Sequence, residues 1–194
     1  MVELSGYVGY SAIVSAATLR EGGGSVYYSL EKNPELGEVV TKLVDLAGLS
    51  HVVKVVVGSS SDSLRRLHAD GTLRQIDLLF LDHHKPLYKD DLKICEELGM
   101  ITVRTVLALD NIIKPGNPPY LEYIRSPIKK RRADLTAMDE SGLRGNPDLL
   151  YKSRLVEGWE PSGDAIEVTR CVTIHPGPTS CGQLGLSTLQ DPIA

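Results

Sequence analysis

Cysteine, long apolar runs and an excess of charge of either sign are all scarce in this chain of 194 residues. The three cysteines are odd in number and form no Cys-x-x-Cys pair, which favours a reducing compartment and therefore the cytoplasm. No apolar run approaches the roughly 20 residues that span a bilayer, and no basic segment followed by an apolar one opens the chain. We therefore predict a soluble protein that is not exported and does not bind a membrane.

The formal net charge of -4 is spread over interspersed acidic and basic residues, so it gives no electrostatic argument for nucleic-acid binding. A small-molecule partner fits this composition better, and the oligomeric state stays open. At 42% hydrophobic content the chain can bury one sizeable core. We predict one domain over residues 1–172 and an irregular tail over residues 173–194, which are rich in glycine, proline and serine.

From residue 2 to about residue 111, short β-branched or aliphatic runs alternate with longer amphipathic stretches. This alternation predicts βαβ units around a parallel sheet. The predicted strands are residues 2–4, 26–30, 52–57, 76–81 and 105–109, and the predicted helices are residues 10–20, 34–46, 60–69 and 88–98. The expected fold class is therefore α/β and doubly wound.

Beyond residue 111 the pattern changes. Residues 112–119 contain three prolines and one glycine, which predicts a loop, and residues 120–132 predict a single surface helix that ends in four basic residues. Residues 150–156 and 166–172 alternate well enough to form two closing strands, antiparallel to each other and joined by a turn around residues 161–163. These would bring the mostly parallel sheet to seven strands.

Oxygen-bearing side chains follow two of the predicted strands. Asp82 ends one apolar run, and Asp110 and Asn111 end the next. Two carboxylates and an amide carbonyl are hard donors, which suit Mg²⁺ better than zinc or copper. Lys85 lies three residues after Asp82, and a cation held that close would favour the neutral amine, the form that acts as a general base. A metal and a base together predict a reaction centre.

Three other predicted strands also end in candidate binding residues, as expected where ligands collect at the carboxyl ends of a parallel sheet. Gly6 and Gly9 follow the first strand and allow close approach to the backbone. Glu31 follows the second strand, where an acidic residue can accept both hydroxyls of a ribose. The serines at 59–61 follow the third strand and could serve an adenine edge or cap a helix.

Five segments in this order resemble the catechol O-methyltransferase family over roughly residues 2–172. They are Glu-Leu-x-x-Tyr-x-Gly-Tyr-Ser at 3–11, Ser-Leu-Glu-x-Asn-Pro at 29–34, Val-Val-Gly-x-Ser at 56–60, Leu-Asp-His-x-Lys at 81–85 and Asp-Asn-x-Ile-x-Pro-Gly at 110–116. The resemblance implies the seven-stranded class I methyltransferase fold, with S-adenosylmethionine and Mg²⁺ as cofactors. The implied reaction is methyl transfer to a hydroxyl of a catechol or similar vicinal diol.

The same resemblance implies a role for each matching residue. Around the cofactor, Glu3, Tyr7 and Ser11 would line the methionine part, Glu31 would hold the ribose, and Ser60, Ser61 and His83 would surround the adenine. At the metal, the ligands would be Asp82, Asp110 and Asn111. Lys85 would be the catalytic base, with Asn111 also beside the substrate. A carboxylate near the last strands would bind the second substrate hydroxyl, for which Glu157 is the candidate and Glu160 the alternative.

This sequence also departs from the family. The family has helices before the first strand that roof the cofactor, and they are absent here, so an alternative function is a truncated methyltransferase-like domain with little or no catalysis, acting as a binding or regulatory protein. Ser5 stands where the family has glycine, and His84 replaces a tryptophan of the substrate pocket, which implies a more polar pocket. A nicotinamide enzyme shares the fold logic, but the glycines do not follow Gly-x-Gly-x-x-Gly.

Overall fold

The computed structural model describes residues 1–135, 142–158 and 163–175. Its strands are β1 Val2–Leu4, β2 Tyr27–Glu31, β3 Val53–Val57, β4 Leu78–Leu81, β5 Val106–Leu109, β6 Leu149–Glu157 and β7 Ala165–Ile174. Its helices are α1 Tyr10–Glu21, α2 Pro34–Leu46, α3 Ser60–Ala69, α4 Tyr88–Glu97, α5 Pro118–Arg125 and α6 Ile128–Asp134. A short 3₁₀ turn, Lys85–Leu87, precedes α4, and a distorted helical turn, Ile112–Gly116, follows β5.

The strands form one seven-stranded sheet in the order β3-β2-β1-β4-β5-β7-β6. Strands β1 to β5 are parallel to their neighbours, whereas β7 is antiparallel to β5 and β6 is antiparallel to β7. The order reverses between β1 and β4, where ligands bind in sheets of this kind. The predicted doubly wound, mostly parallel α/β sheet of seven strands is confirmed.

Helices cover both faces of the sheet because each has an apolar side. In α2, Asn33 caps the first turn by accepting a hydrogen bond from the backbone of Glu35, and Pro34 takes the first helical position. Val40 and Val44 of the same helix are buried against the β2–β3 side of the sheet. A second cluster packs β4 and β5 against α3, α4 and α5. Within the described chain, no helix has the length and apolar character to cross a membrane.

The largest difference from the sequence prediction concerns residues 112–132. One helix over 120–132 is wrong, because Pro127 holds Ser126 in an extended conformation, with φ -67° and ψ 137°, and divides the segment into α5 and α6. The loop over 112–119 is wrong in part, since it contains a distorted turn and α5 begins at Pro118.

Strand β7 reaches Ile174, two residues past the predicted domain end at 172. The other predicted boundaries either coincide with the observed ones or differ from them by one or two residues. The predicted turn at 161–163 lies mostly outside the described residues, as does the predicted tail from residue 176 onward.

Candidate active site

The carboxyl ends of β4 and β5 lie side by side, which brings the predicted metal ligands together. Leu81 pairs with Leu109 in the sheet, so Asp82 and Asp110 each follow one member of this pair. The backbone N–H of Asp110 donates to the carbonyl of Leu81 at 3.1 Å and fixes the two strand ends to each other. The expected meeting of the two strand-end loops is therefore present.

The ammonium group of Lys85 lies among the oxygen atoms of these loops. Its Nζ donates to Asn111 Oδ1 at 2.5 Å, to the Tyr88 hydroxyl at 2.8 Å and to Asp82 Oδ1 at 3.4 Å. Asn111 has left-handed backbone angles, with φ 57°, which turn its side chain back toward β4. A positive charge at this point contacts two of the three predicted metal ligands and one neutral hydroxyl.

The two carboxylates also influence each other electrostatically. Partial burial raises the pKa of Asp82, the charge of Asp110 raises it further, and Lys85 acts in the opposite direction. Burial and the same two carboxylates raise the pKa of Tyr88, so its hydroxyl stays neutral. One ammonium thus contacts the carboxylate of Asp82, and Asp110 adds a second negative charge that acts on Asp82, so the local charge favours an additional cation.

Within the described residues, no group of three or more histidine, cysteine, aspartate or glutamate side chains is arranged to hold a metal. The predicted set differs from such a group because its third member is the amide of Asn111. Amide carbonyl oxygens are ordinary ligands of hard cations, so the set of two carboxylates and one amide remains a candidate Mg²⁺ site.

Glu3 is fully buried beneath the loop that follows β1. Its carboxylate accepts hydrogen bonds from the hydroxyls of Ser29 at 2.5 Å, Ser11 at 2.6 Å and Tyr27 at 2.7 Å. Burial raises the pKa of Glu3, and the three hydroxyls partly offset that effect. A Cβ at Gly6 would lie 2.4 Å from Ser29 Oγ, so only glycine lets the loop pass this close to the network. Glu3 therefore organises the floor of the loop.

Glu31, at the end of β2, is linked to the same loop. Its Oε2 accepts the backbone N–H of Tyr7 at 2.8 Å, and its Oε1 accepts the N–H of Asn33 at 2.8 Å. Tyr7 and Ser5 both have left-handed φ angles, and the side chain of Tyr7 is 64% exposed. Each carboxylate oxygen of Glu31 keeps a further lone pair for another donor, although the residue is almost buried.

The three residues predicted to surround an adenine meet at one buried carboxylate, that of Asp91. Its oxygens accept from Ser60 at 2.5 Å and from Ser61 at 2.6 Å, and lie 2.8 Å from His83 Nε2. His83 stacks on Tyr88, with ring centroids 4.8 Å apart. Its Nδ1 is buried and has no hydrogen-bond partner among the described residues. The serine hydroxyls thus point to Asp91, and the open polar atom of this group is His83 Nδ1.

Removing the Asp91 carboxylate is expected to destabilise the fold, because three partly buried donors would lose their buried acceptor. Burial alone would raise the pKa of Asp91, but hydrogen bonds from His83, Ser60 and Ser61 outweigh it and hold the pKa below its usual value. We expect Asp91→Ala to lower the free energy of unfolding by about 3 kcal/mol. Urea unfolding followed by circular dichroism measures this loss.

The matched comparison for Asp91→Ala is Ser61→Ala, which removes one of the three donors and should cost about 1 kcal/mol. Since the folded pKa of Asp91 is depressed, its contribution is fully present above the unfolded carboxyl pKa of about 3.9 and is lost as the pH falls through the folded value. Equal losses in the two variants at neutral pH would contradict this account.

A carboxylate that the sequence analysis did not single out also lies near the last strands, and the assignment of Glu157 remains a prediction. Glu157 is exposed at the end of β6, and its alternative, Glu160, lies outside the described residues. Asp164, immediately before β7, instead accepts Asn111 Nδ2 at 3.1 Å. Partial desolvation acts to raise the pKa of Asp164, but its hydrogen bonds outweigh this and keep the pKa below the usual value.

Three site residues were therefore missed, and the sequence contains a weak signal for each. Tyr88 and Asp91 lie three and six residues after Lys85, which places them within the next helical turns. Asp164 begins a strand antiparallel to β5, and such a strand starts at the edge where the parallel strands end. A carboxylate at that position belongs to the same edge as the predicted metal ligands.

A doubly wound sheet of this strand order defines the class I fold of S-adenosylmethionine-dependent methyltransferases. Residues 1–125 match the family model described as O-methyltransferase, and the chain belongs to that family. This match contains every predicted cofactor-binding and metal-ligating residue and ends before β6 and β7.

Similar proteins include catechol O-methyltransferases and transmembrane O-methyltransferases. The chain is 38% identical over 125 residues to the catechol O-methyltransferase of Bos taurus, covering 64% of this chain and 45% of that protein. It is 38% identical over 125 residues to the Sus scrofa protein of the same name, covering 64% and 66%. Against the transmembrane O-methyltransferase of Homo sapiens it is 33% identical over 127 residues, covering 65% and 43%. The matched part thus spans less than half of the cattle and human proteins.

Solved structures of similar fold come from bacterial O-methyltransferases. That of the Bacillus cereus enzyme in complex with SAH has a TM-score of 0.60 at 19% identity, covering 88% of this chain and 72% of that chain. That of TomG from Streptomyces achromogenes, in complex with SAM, has a TM-score of 0.61 at 21% identity, covering 89% and 72%. At these identities the likeness supports the fold assignment.

Proposed function

We propose that this protein is a Mg²⁺-dependent O-methyltransferase that moves a methyl group from S-adenosylmethionine to one hydroxyl of a catechol or similar vicinal diol. The observation that carries this proposal is the position of Lys85, whose amine lies between the predicted metal ligands Asp82 and Asn111. Family membership and the catechol O-methyltransferase relatives support the choice of reaction and substrate class. The proposed partner is a small molecule in the cytoplasm.

The residues at the ends of β4 and β5 fit a divalent cation. Asp82, Asp110 and Asn111 would hold it, since they offer hard oxygen donors beside a single ammonium. When bound, Mg²⁺ would orient the two hydroxyls of the substrate and stabilise the negative charge that develops on the reacting oxygen. Asp82 and Lys85 have side chains 39% and 23% exposed, so the centre is open to a substrate from solvent.

The residues at the ends of β1, β2 and β3 fit a nucleoside cofactor. Gly6 lets the first loop pack directly on the buried Ser29 and Glu3 side chains, which sets the position of this loop at the sheet edge. Glu31 can accept ribose hydroxyls, and His83, with Nε2 bound to Asp91, presents its unpartnered Nδ1 as an acceptor for an amino group. S-adenosylmethionine would supply the sulfonium methyl group.

In this proposal the chain positions the reactants and removes one proton. Lys85 Nζ, after releasing one proton to solvent to become the neutral amine, takes the proton from the hydroxyl that will be methylated, and Tyr88 holds the amine in place through its neutral hydroxyl. A second contact, from Lys85 Nζ to Asn111 Oδ1, holds the amine near the ends of β4 and β5. Orienting an oxygen nucleophile and a methyl group for direct displacement is a large part of such catalysis.

The test is product formation and its dependence on metal. The purified chain would be incubated with S-adenosylmethionine, 3,4-dihydroxybenzoate and Mg²⁺, and the monomethyl ether would be detected by mass spectrometry. We expect product that disappears with EDTA and returns with excess Mg²⁺, and no product from the single-hydroxyl control 4-hydroxybenzoate. Turnover that survives EDTA would overturn the metal-dependent mechanism.

A second candidate function is a methyltransferase-like domain without catalysis, acting as a binding or regulatory protein. The observation that favours it is the exposure of two tyrosines: Tyr7, predicted to line the methionine part of the cofactor, is 64% exposed, and Tyr10, at the start of α1, is 78% exposed. Titration calorimetry with S-adenosylmethionine separates the two functions. Absence of both product and binding heat at millimolar cofactor would support the second function.

A further inference from the structure

We propose that Asp164 is a positioning residue that orients the amide of Asn111, so that its carbonyl oxygen faces the metal position. This inference rests on the proposed function, because it assigns Asn111 as a metal ligand. Asp164 lies outside the segment that matches the family model, and it enters the site from the turn before β7.

The contacts of Asp164 connect the last hairpin to the loop after β5. Its Oδ2 accepts Asn111 Nδ2 at 3.1 Å. Its Oδ1 accepts the backbone N–H groups of Ala165 at 2.8 Å, Ile113 at 3.1 Å and Lys114 at 3.4 Å. One carboxylate therefore holds both the side chain of Asn111 and the backbone of the two residues that follow Ile112.

An asparagine ligand needs such a partner because its amide has two different ends. Only Oδ1 can bind a cation, whereas Nδ2 carries two N–H donors that repel it. A carboxylate on one side of the amide can accept only from Nδ2, so it selects the orientation in which Oδ1 points to the other side. That side is occupied by Lys85 Nζ, at 2.5 Å from Oδ1.

The backbone of Asn111 needs the same support. Its φ of 57° is a left-handed conformation, which non-glycine residues adopt at some energetic cost and keep only where the surroundings hold them. The turn that follows is irregular, since Lys114 leaves helical geometry with φ -132° and ψ 115°. The two backbone hydrogen bonds to Asp164 Oδ1 hold this turn to β7, which is part of the sheet.

The experiment measures Mn²⁺ binding, as a probe of the Mg²⁺ site, by electron paramagnetic resonance of the unbound ion. We expect Asp164→Ala to weaken Mn²⁺ binding by roughly 10- to 100-fold, the usual effect of removing a partner that orients a ligand. Asp164→Asn should weaken Mn²⁺ binding as well. In either orientation the new amide turns its own N–H groups toward other donors, which are Asn111 Nδ2 on one side and the backbone N–H groups on the other. Asp77→Asn removes an exposed charge at the opposite end of β4 and should leave binding unchanged.

A reversed pair separates positioning from a simple effect of charge. In Asn111→Asp combined with Asp164→Asn, the new amide can donate to the new carboxylate, so the hydrogen bond is restored with its direction reversed. We expect the double variant to bind Mn²⁺ at least roughly fivefold more tightly than the product of the two single effects, the size of coupling found between residues in contact. If the two substitutions acted only through net charge, the change in Mn²⁺ affinity of the double variant would equal the product of the changes in the two single variants.

The outcomes distinguish this inference from the proposed function. Two results would overturn the role of Asp164 while leaving the metal site in place. One is a Mn²⁺ affinity of Asp164→Ala within twofold of that of the unaltered protein, and the other is an absence of coupling in the reversed pair. Failure of the unaltered protein to bind Mn²⁺ at millimolar concentration would overturn the metal site itself, and the role of Asp164 with it. Circular dichroism of each variant checks that the fold is retained.

Discussion

Asp110→Ala is expected to reduce metal-supported methyl transfer to the background rate. Asp110 follows β5 beside Asp82, and its charge acts to raise the pKa of Asp82, so a cation bound at these strand ends would be attracted by both carboxylates. Losing this carboxylate removes a predicted ligand and the several kcal/mol of charge stabilisation that a bound metal supplies, which is roughly 10³-fold or more in rate. The initial rate of monomethyl ether formation with saturating S-adenosylmethionine measures the effect.

The matched control for this prediction is Asp77→Ala. Asp77 is an exposed carboxylate just before β4, at the other end of the sheet from Asp110, so its removal changes net charge by the same amount without touching the site. We expect the control to keep the rate of the unaltered protein. A rate in Asp110→Ala within a few-fold of that control would refute the metal site assigned to the ends of β4 and β5.

The sequence was sufficient for the sheet and for the strand-end residues, because both depend on local pattern. Apolar runs of three to six residues, separated by amphipathic stretches, specify parallel strands and crossover helices. Polar residues that directly follow parallel buried strands lie at the carboxyl edge of the sheet, independently of the conformation of the loops. For this reason the sequence alone could place Asp82 and Asp110 close together.

Features that depend on contacts between distant segments could not be predicted in this way. The hydroxyls of Ser60 and Ser61 bind Asp91, which lies 31 and 30 residues further along the chain, and the sequence around the two serines does not identify that partner. Asp164 reaches Asn111 across 53 residues because an antiparallel strand returns to the same edge. The assignment of Glu157 used only its position near the end of β6, and it remains a prediction.

The helix predicted over residues 120–132 shows a different limit. The composition is helical across the whole segment, and its periodicity alone does not indicate that the helix is interrupted at residues 126–127. The proline at 127 could have indicated it, since the residue before a proline avoids helical angles. In this segment local steric exclusion by the Pro127 ring outweighs helix propensity, and α6 starts after the break, with Arg131 buried.

Lys85→Ala is expected to lower turnover by roughly 10²- to 10⁴-fold, the usual contribution of a general base. The affinity for S-adenosylmethionine should change little, because Lys85 contacts the metal ligands and Tyr88. Most residues predicted to bind the cofactor follow β1, β2 and β3, and His83, which follows β4, is held by Asp91. Steady-state kinetics gives turnover, and titration calorimetry gives the cofactor affinity. A comparable loss in both quantities would indicate a structural role for the lysine.

Two further variants separate proton transfer from the effect of a positive charge. Lys85→Arg keeps the charge but cannot lose a proton near neutral pH, so it should be as slow as Lys85→Ala. Added ethylamine should restore part of the activity of Lys85→Ala, since a small amine can enter the space left by the side chain, and it should not help Lys85→Arg. Lys54→Ala, on the exposed side of β3, is the matched control and should retain full turnover. Full activity in Lys85→Arg would show that the charge at this position, and no proton transfer, is what the reaction requires.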